Sequence, residues 1–312
     1  MTLSELRYLV ALADLRHFGR AAERCHVTQP TLSSQLRKLE ETLGVALVER
    51  STRSVVLTPL GAQIVAHARR ILEEADAIAE LARHRNGALT SVLRLGIIPT
   101  LGPYLLPLLL HKLHQAFPGL RLVLREDLTD NLFAALDAHG LDVLLVALPE
   151  HGAAYPAMPL FREPFWLVCP SQHRLSNQLA VTEEELGQER LLLLEEGHCL
   201  REQALAVCGN RPREQEAPND DFRATSLETI CEMVAAGFGC TLLPAMAVPY
   251  LTARDKRLEV RPIRAATACR RIGLVWRTRF PRSEDLAELG RFIREQLPDS
   301  VQAIAGAPRR QA

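Results

Sequence analysis

The chain has 312 residues, of which 47% are hydrophobic and 24% are charged, and its formal net charge is zero. This balance is typical of a soluble globular protein long enough for two or three domains, and it excludes a chain that is basic throughout. No apolar run approaches the ~18 residues that a membrane span needs, and the first ten residues lack the pattern of a secretory signal. We therefore expect a cytoplasmic protein with no membrane partner.

The first 58 residues predict a helix-turn-helix followed by a wing. One helix carries Ala21 and Ala22 on its inner face, and a short turn leads to a second helix with Thr28 as its cap and Pro30 in its first turn. The second helix exposes side chains that can bind base edges or phosphates: Gln29, Thr31, Ser33, Ser34, Arg37 and Lys38. The alternative is a helical hairpin with a polar outer face. The β-like runs around Arg50 and Arg53 favour DNA binding, since a basic wing contacts phosphates.

A long helical pattern over residues 59–88 follows the wing. Ile64, Ile71 and Ile78 recur every seven residues, and a second row lies four residues further on: Ala68, Ala75 and Ala82. This narrow seam is typical of a two-stranded coiled coil and predicts a dimer helix. The alternative, a helix packed on its own domain, usually shows a wider apolar stripe.

Residues 89–302 alternate apolar strand patterns with helical patterns, which indicates a mostly parallel α/β sheet. Residues 303–312 are expected to form a disordered tail. In doubly wound sheets ligands bind where strands end and helices begin, and Thr100 and Thr129 each lie at such a junction. Each threonine could also be a simple helix cap.

Cys199 lies at a predicted helix start between His198 and Arg201, and Cys208 follows nine residues later. The helix dipole, Arg201 and a protonated His198 would each lower the pKa of the Cys199 thiol. If one helix joins the two cysteines, their Cα atoms are roughly 13 Å apart, whereas a disulfide needs less than about 7 Å. A disulfide would therefore force this segment to unwind. The alternative is that both cysteines only fill the core.

The other cysteines provide an internal comparison. Cys231 and Cys240 are also nine residues apart, but their neighbours are apolar and include no basic residue. Cys25, Cys169 and Cys269 have no setting comparable with that of Cys199. The chain shows no spacing of cysteines and histidines typical of zinc, so we expect no metal and no organic cofactor.

Residues 1–88 resemble the winged helix-turn-helix and linker helix of LysR-type transcriptional regulators. The matching residues are Ala21, Ala22, Thr28, Gln29, Pro30, Ser33, Leu39, Glu40, Leu43, Gly44, Leu47, Arg50, Thr58, Pro59 and Gly61. The resemblance implies an effector domain like the periplasmic binding proteins, with two Rossmann-like α/β subdomains at about 89–162 plus 268–302 and 163–267. It also implies dimers that pair into tetramers on double-stranded DNA and contact RNA polymerase.

Within this family the segments "GHCLREQALAVC" and "IIPTLGPYLLP" resemble the members that sense hydrogen peroxide and activate defence genes. The resemblance implies that Cys199 is the peroxidatic cysteine and Cys208 the resolving one. It assigns Thr100, Thr129, His198 and Arg201 to the peroxide pocket, with Arg270 nearby, and implies a glutaredoxin or thioredoxin as reductant. Two alternatives stay open, a family member that binds a small organic effector and a thiol peroxidase enzyme.

Overall fold

The computed structural model describes residues 1–50, 55–83, 89–148, 155–207, 224–253, 255–265 and 267–304. The chain divides into two compact units, Met1–Gly87 and Ala88–Ala312. None of the helices within the described ranges is long and apolar enough to cross a membrane.

The first unit is a helix-turn-helix with a two-stranded wing and a long helix. Its elements are α1 (Leu3–Leu15), α2 (Phe18–Arg24), α3 (Gln29–Leu43), β1 (Val48–Arg50), β2 (Val55–Leu57) and α4 (Pro59–Arg83). Side chains of Thr2, His17 and Thr28 cap the first three helices. The core is formed by apolar side chains at helical spacing, among them Leu9, Leu12, Ala21, Ala22, Leu32, Leu36 and Leu39. The predicted winged fold is confirmed.

Helix α4 changes its surroundings along its length. Ala68 is buried, and Arg69 forms an ion pair with Asp14 of α1, so the first turns of α4 pack on their own unit. Further along, Ile71 is 41% exposed and Ile78 is 70% exposed. The first part of α4 therefore packs on its own unit, as one alternative predicts. The later part exposes isoleucines, as a dimer helix would.

The second unit is a mixed α/β structure. Its first half contains β3 (Val92–Ile97), α5 (Gly102–Ala116), β4 (Arg121–Glu126), α6 (Thr129–Asp137) and β5 (Val143–Ala147). Its second half contains β6 (Ala157–Pro170), α7 (Glu183–Leu186), α8 (Cys199–Val207), α9 (Leu227–Ala235), β7 (Thr241–Pro244), α10 (Val248–Thr252) and β8 (Leu258–Pro262). The last elements are β9 (Cys269–Trp276), α11 (Ser283–Glu295) and β10 (Gln302–Ala303).

The strand β6 connects the two halves. Its first part pairs with β9, and its last part, from Phe165 onward, pairs with β7 and β8. Strand β3 is parallel to β4 and β5, whereas β9 is antiparallel to both β5 and β6. The expectation of a mostly parallel sheet is therefore wrong, because β9 lies between β5 and β6 and runs antiparallel to both.

Strand β10 pairs Gln302 with Arg162 and Ala303 with Phe161. The sheet therefore includes the first residue of the predicted tail, and residues 305–312 lie outside the described ranges.

Candidate functional site

A narrow recess lies where two parallel strands end and α8 begins. Its lining comprises Ile98, Pro99, Thr100, Leu128, Thr129, Gly197, His198 and Cys199. In this conformation these described side chains leave no room between them for a whole water molecule, so a ligand enters only as they move apart. The recess brings together four of the predicted site residues, which come from three separate stretches of the chain.

The two threonines occupy equivalent positions on neighbouring strands. Ile97 at the end of β3 pairs with Glu126 at the end of β4, and each threonine follows its strand end by three residues. Within the described residues neither threonine caps a helix, since α5 and α6 have Leu101 and Leu128 at their cap positions without a side-chain hydrogen bond. The helix-cap alternative is therefore wrong for both threonines.

Arg270 holds Thr100 from behind the recess. Its guanidinium donates to the Thr100 hydroxyl oxygen at 2.8 Å and to the Thr100 carbonyl at 2.9 Å. Because the hydroxyl oxygen already accepts a hydrogen bond, its own hydrogen can point to a molecule in the recess. Arg270 thus acts on the recess through Thr100 and lies outside the lining.

A buried carboxylate fixes Arg270 in turn. Glu163 on β6 lies opposite Arg270 on β9, and their ion pair measures 2.8 Å with both side chains fully buried. The second oxygen of Glu163 accepts from the backbone N–H of Met246. A buried ion pair is stable only when such additional hydrogen bonds satisfy the remaining atoms. The chain of contacts from Met246 to Thr100 therefore ties the recess to the crossing of β6 and β9.

Cys199 is the first residue of α8 and is partly buried, as the sequence predicts. The backbone N–H groups of a helix start stabilise negative charge on a group at this position. Helix α8 faces the core with Leu200, Ala204 and Val207. Cys208 comes directly after this helix and lies outside the described residues.

The structure gives His198 and Arg201 settings that differ from the predicted ones. Burial lowers the pKa of His198, and the opposing effect of Glu195 is smaller. At neutral pH His198 is therefore a neutral hydrogen-bonding group rather than a cation. Arg201 donates to the carbonyl oxygen of Leu194, so it fixes the segment that leads into α8, and it lies outside the recess lining among the described residues.

The remaining cysteines have distinct settings. Cys231 is buried in α9, where burial and then Glu228 raise the pKa of its thiol to about 12. Cys240 lies opposite Cys169 where β6 meets β7. The interaction with the Cys169 thiol, and then burial, raise the pKa of Cys240, whereas the interaction with Cys240 lowers the pKa of Cys169. Sequence patterns did not place Cys169 beside Cys240, because the two cysteines are 71 residues apart in the sequence.

The outer face of α3 presents the predicted DNA-binding residues. Exposed members are Thr28, Gln29, Pro30, Thr31, Ser34, Arg37 and Lys38, and Ser33 is half-buried. Thr28 caps the helix by accepting from Thr31 N–H, and the opposite face buries Leu32, Leu36 and Leu39. Arg50 ends β1 but its side chain lies outside the described part, as does all of Arg53.

Sequence patterns did not identify Glu163, Cys169, His173 or Glu189. Glu163 carries a detectable signal, since a lone carboxylate in the apolar run "FREPFWLVC" must find a partner when buried. His173 and Glu189 carry no comparable signal, because polar residues are common in loops.

Comparison with protein families gives two matches that together span most of the chain. Residues 3–62 match the bacterial regulatory helix-turn-helix protein, lysR family, and residues 86–298 match the LysR substrate binding domain. The chain is 44% identical over 297 residues to the DNA-binding transcriptional dual regulator OxyR of Escherichia coli K12, covering 95% of this chain and 96% of that protein.

Solved structures of similar proteins agree with these matches. A full-length OxyR mutant from Pseudomonas aeruginosa superposes with a TM-score of 0.83 at 41% identity, covering 99% of each chain. An OxyR mutant from Corynebacterium glutamicum with hydrogen peroxide bound superposes with a TM-score of 0.65 at 36% identity, covering 95% of this chain and 92% of that one. The chain belongs to the LysR family of bacterial transcription regulators.

Proposed function

We propose that this chain is a DNA-binding transcription regulator that senses hydrogen peroxide through Cys199. The observation that carries the proposal is the convergence of Thr100, Thr129, His198 and Cys199 on one recess. The family membership supports DNA binding through α3, and the similarity to OxyR proteins supports peroxide as the signal.

The chemistry begins with nucleophilic attack of the Cys199 thiolate on one peroxide oxygen. An S–O bond forms, the O–O bond breaks, and the leaving hydroxide takes up a proton to become water. The hydroxyl hydrogen of Thr100, left available by Arg270, orients the peroxide and stabilises the developing charge. Neutral His198 serves as a further hydrogen-bonding group in the recess. The product at Cys199 is a sulfenic acid.

The second step forms a disulfide between Cys199 and Cys208. The Cys208 sulfur attacks the sulfur of the sulfenic acid, an S–S bond forms, and a second water leaves. In total two thiols lose two electrons and two protons, and one peroxide becomes two waters. A glutaredoxin or thioredoxin would reverse the change by thiol–disulfide exchange.

Helix geometry turns this step into a change of shape. Cys199 and Val207 bound α8, so their Cα atoms are about 12 Å apart at ~1.5 Å per residue. Cys208 is bonded to Val207, and adjacent Cα atoms are about 3.8 Å apart, so its Cα stays at least about 8 Å from that of Cys199. A disulfide requires less than about 7 Å. The bond therefore forms only if α8 unwinds and withdraws Leu200, Ala204 or Val207 from the core.

The change of shape would act on DNA through the assembly. Exposed Ile71 and Ile78 on α4 support a dimer helix, and paired dimers would present four copies of α3 to double-stranded DNA. Refolding of α8 would alter how the subunits pack, which changes the spacing of the bound half-sites and the contact with RNA polymerase.

The size of the recess favours peroxide over an organic effector. Pockets for drug-sized ligands typically measure ~300–1,000 Å³, whereas the recess in this conformation has no room even for a whole water molecule. The thiol peroxidase alternative predicts sustained peroxide consumption in the presence of a reductant, whereas a regulator needs one oxidation for each switching event.

Disulfide mapping by mass spectrometry tests the proposal. The reduced full-length protein is exposed briefly to stoichiometric peroxide, quenched with an alkylating reagent and digested. We expect a peptide pair joined through Cys199 and Cys208, with Cys231 alkylated as a free thiol after denaturation. An oxidised sample in which Cys199 remains a free thiol would overturn the proposal.

A further inference from the structure

A second cluster of reactive side chains lies in the other half of the effector unit. Its members are Cys169 near the end of β6, His173 in the turn that follows, Glu189 after α7, and Cys240 just before β7. Cys169 and Cys240 are fully buried, while the side chains of His173 and Glu189 are 21% and 11% exposed. The histidine and the carboxylate are therefore partly accessible to solvent, whereas the two thiols are not.

The backbone sets the two cysteines side by side. In the antiparallel pairing of β6 with β7, Val168 lies opposite Thr241, and one further step places Cys169 opposite Cys240. The backbone N–H and carbonyl of Cys240 form hydrogen bonds with Arg190 and Leu192, and Cys169 pairs with Glu259 of β8. Cys169 and Cys240 are therefore a pair without mutual backbone hydrogen bonds, and in antiparallel strands such pairs have the closest side chains. The strand pairing therefore places the two cysteine side chains next to each other.

Three donor atoms of the cluster already converge on one point. Nε2 of His173 lies 3.1 Å from Oε2 of Glu189 and 3.7 Å from Sγ of Cys240, and the three atoms all lie within 4.8 Å of one another. With bond lengths of about 2.0–2.3 Å, tetrahedral zinc holds neighbouring donor atoms about 3.3–3.8 Å apart. The observed separations of His173 from its two partners differ from these values by a few tenths of an ångström at most.

We propose that Cys240, His173 and Glu189, joined by Cys169, form a binding site for a zinc ion. Two thiolates, an imidazole and a carboxylate are donors that zinc accepts, whereas calcium and magnesium require oxygen ligands. Arg174 forms an ion pair with the other oxygen of Glu189, which leaves Oε2 directed at His173. Such an outer partner orients a ligating carboxylate.

Zinc binding rearranges the protons of the cluster in a defined way. The thiols of Cys169 and Cys240 each release a proton to solvent. Nδ1 of His173 accepts from Leu175 N–H, so the ring proton lies on Nε2 in the metal-free form. That proton moves to Nδ1 when Nε2 binds zinc, and the hydrogen bond to Leu175 breaks.

A zinc ion at this site would stabilise the segment of residues 189–194, which leads to the peroxide recess. Glu189 lies next to the stretch in which Arg190 and Leu192 bond to the Cys240 backbone, and Leu194 further along accepts from Arg201 of α8. A zinc ion held by Glu189 and Cys240 would link the segment that contains Arg190 and Leu192 to the start of β7, in addition to their backbone hydrogen bonds. Metal binding should therefore stabilise the effector unit with α8 in place, since a ligand that binds the folded form alone raises its stability.

A zinc titration of the full-length protein tests the site. The protein carries Cys199→Ser and Cys208→Ser, so that those thiols cannot bind metal, and is reduced with a phosphine and stripped with a chelator. Zinc chloride is added in competition with a chromophoric chelator. We expect one ion per chain, bound with sub-micromolar affinity, a higher melting temperature, and protection of Cys169 and Cys240 from alkylation.

Variants locate the ion. Cys240→Ser and His173→Asn should each weaken binding by more than about 100-fold, beyond the 10–100-fold typical for loss of an outer partner. Asparagine at position 173 can still accept from Leu175 N–H, so this variant preserves the local turn. Cys231→Ser removes another buried thiol of the same half and should bind zinc as the parent does.

Cobalt chloride provides a second readout. Cobalt in the same site should give thiolate-to-metal charge-transfer absorption, which Cys240→Ser and Cys169→Ser should each reduce. Absence of stoichiometric binding, or equal affinity in the parent, Cys240→Ser and His173→Asn, would overturn the proposal. A protein that binds no zinc but forms a Cys169–Cys240 disulfide in air would identify the pair as a redox dithiol and would overturn it as well.

Discussion

Arg270 donates to the Thr100 hydroxyl oxygen at 2.8 Å while its Nε bonds to buried Glu163 at the same distance. The arginine therefore fixes which way the Thr100 hydroxyl can donate, and Glu163 fixes the arginine. Residues on β6 and β9 thus set the direction in which a hydroxyl of the recess donates, although neither residue lines the recess.

Thr100→Val should slow oxidation of Cys199 by one to two orders of magnitude. The expected loss corresponds to the ~1.5–3 kcal/mol that a hydrogen bond to a charged group contributes. Stopped-flow oxidation of the reduced protein at several peroxide concentrations measures the rate. Thr252→Val is the control, since that hydroxyl donates to Val248 within α10. Equal rates for Thr100→Val and the parent would remove Thr100 from the peroxide site.

Glu163→Gln should destabilise the effector unit by about 3–5 kcal/mol, because it leaves the Arg270 charge buried without a partner. Denaturant unfolding measures the loss. Replacing both residues, as Glu163→Gln with Arg270→Met, should recover part of it, since the unpaired charge is gone. If the double variant loses more free energy of unfolding than the two single variants together, the unpaired buried charge is not the cause of the loss.

The pH dependence of stability should contain a contribution from His198. Burial lowers its pKa in the folded protein below the ordinary value of 6.5, so the unfolded chain binds the proton more readily. Stability from this group is present above pH 6.5 and is lost as the pH falls toward the folded pKa. Melting temperatures across this range should fall more steeply for the parent than for His198→Asn. Exposed His67→Asn should keep the steep dependence of the parent.

The combined change Gln29→Ala with Ser33→Ala should alter which DNA sequences are preferred, because these side chains lie on the outer face of α3 near its start. Replacing Arg50 and Arg53 by alanine should instead weaken all sites alike and flatten the salt dependence, by a slope of ~0.9 for each phosphate that is no longer neutralised. Binding to a panel of operator variants at several salt concentrations separates the two effects. Thr42→Ala at the other end of α3 is the control. Unaltered sequence preference in the Gln29 and Ser33 variant would contradict this placement.

The parts of the site that the sequence predicts are those determined locally. Cys199 follows a glycine turn and starts an amphipathic helix, and Thr100 and Thr129 follow apolar strands, so neighbouring residues are enough to place them. Parallel pairing of β3 with β4 then brings the two threonines together without further information.

The contacts that the sequence does not predict join distant residues. Glu163 and Arg270 are 107 residues apart and meet only because β6 lies against β9. Cys169 meets Cys240 for the corresponding reason, since the later part of β6 pairs with β7. A one-residue shift in either pairing would send these side chains to the opposite face, so their partners depend on strand register.

The most direct test of the account follows four cysteines through one peroxide pulse in cells that carry a reporter driven by a target promoter. Cys199→Ser should abolish the reporter response. Cys208→Ser should give a weak response and a sulfenic acid at Cys199 that a dimedone-type reagent traps. Replacing both Cys231 and Cys240 by apolar residues removes the proposed zinc site, but neither cysteine lines the recess, so the response should stay intact, together with a disulfide between Cys199 and Cys208 in the mass map. Loss of the response in the Cys231 and Cys240 variant, with a normal response in Cys199→Ser, would contradict the assignment of the switch to α8.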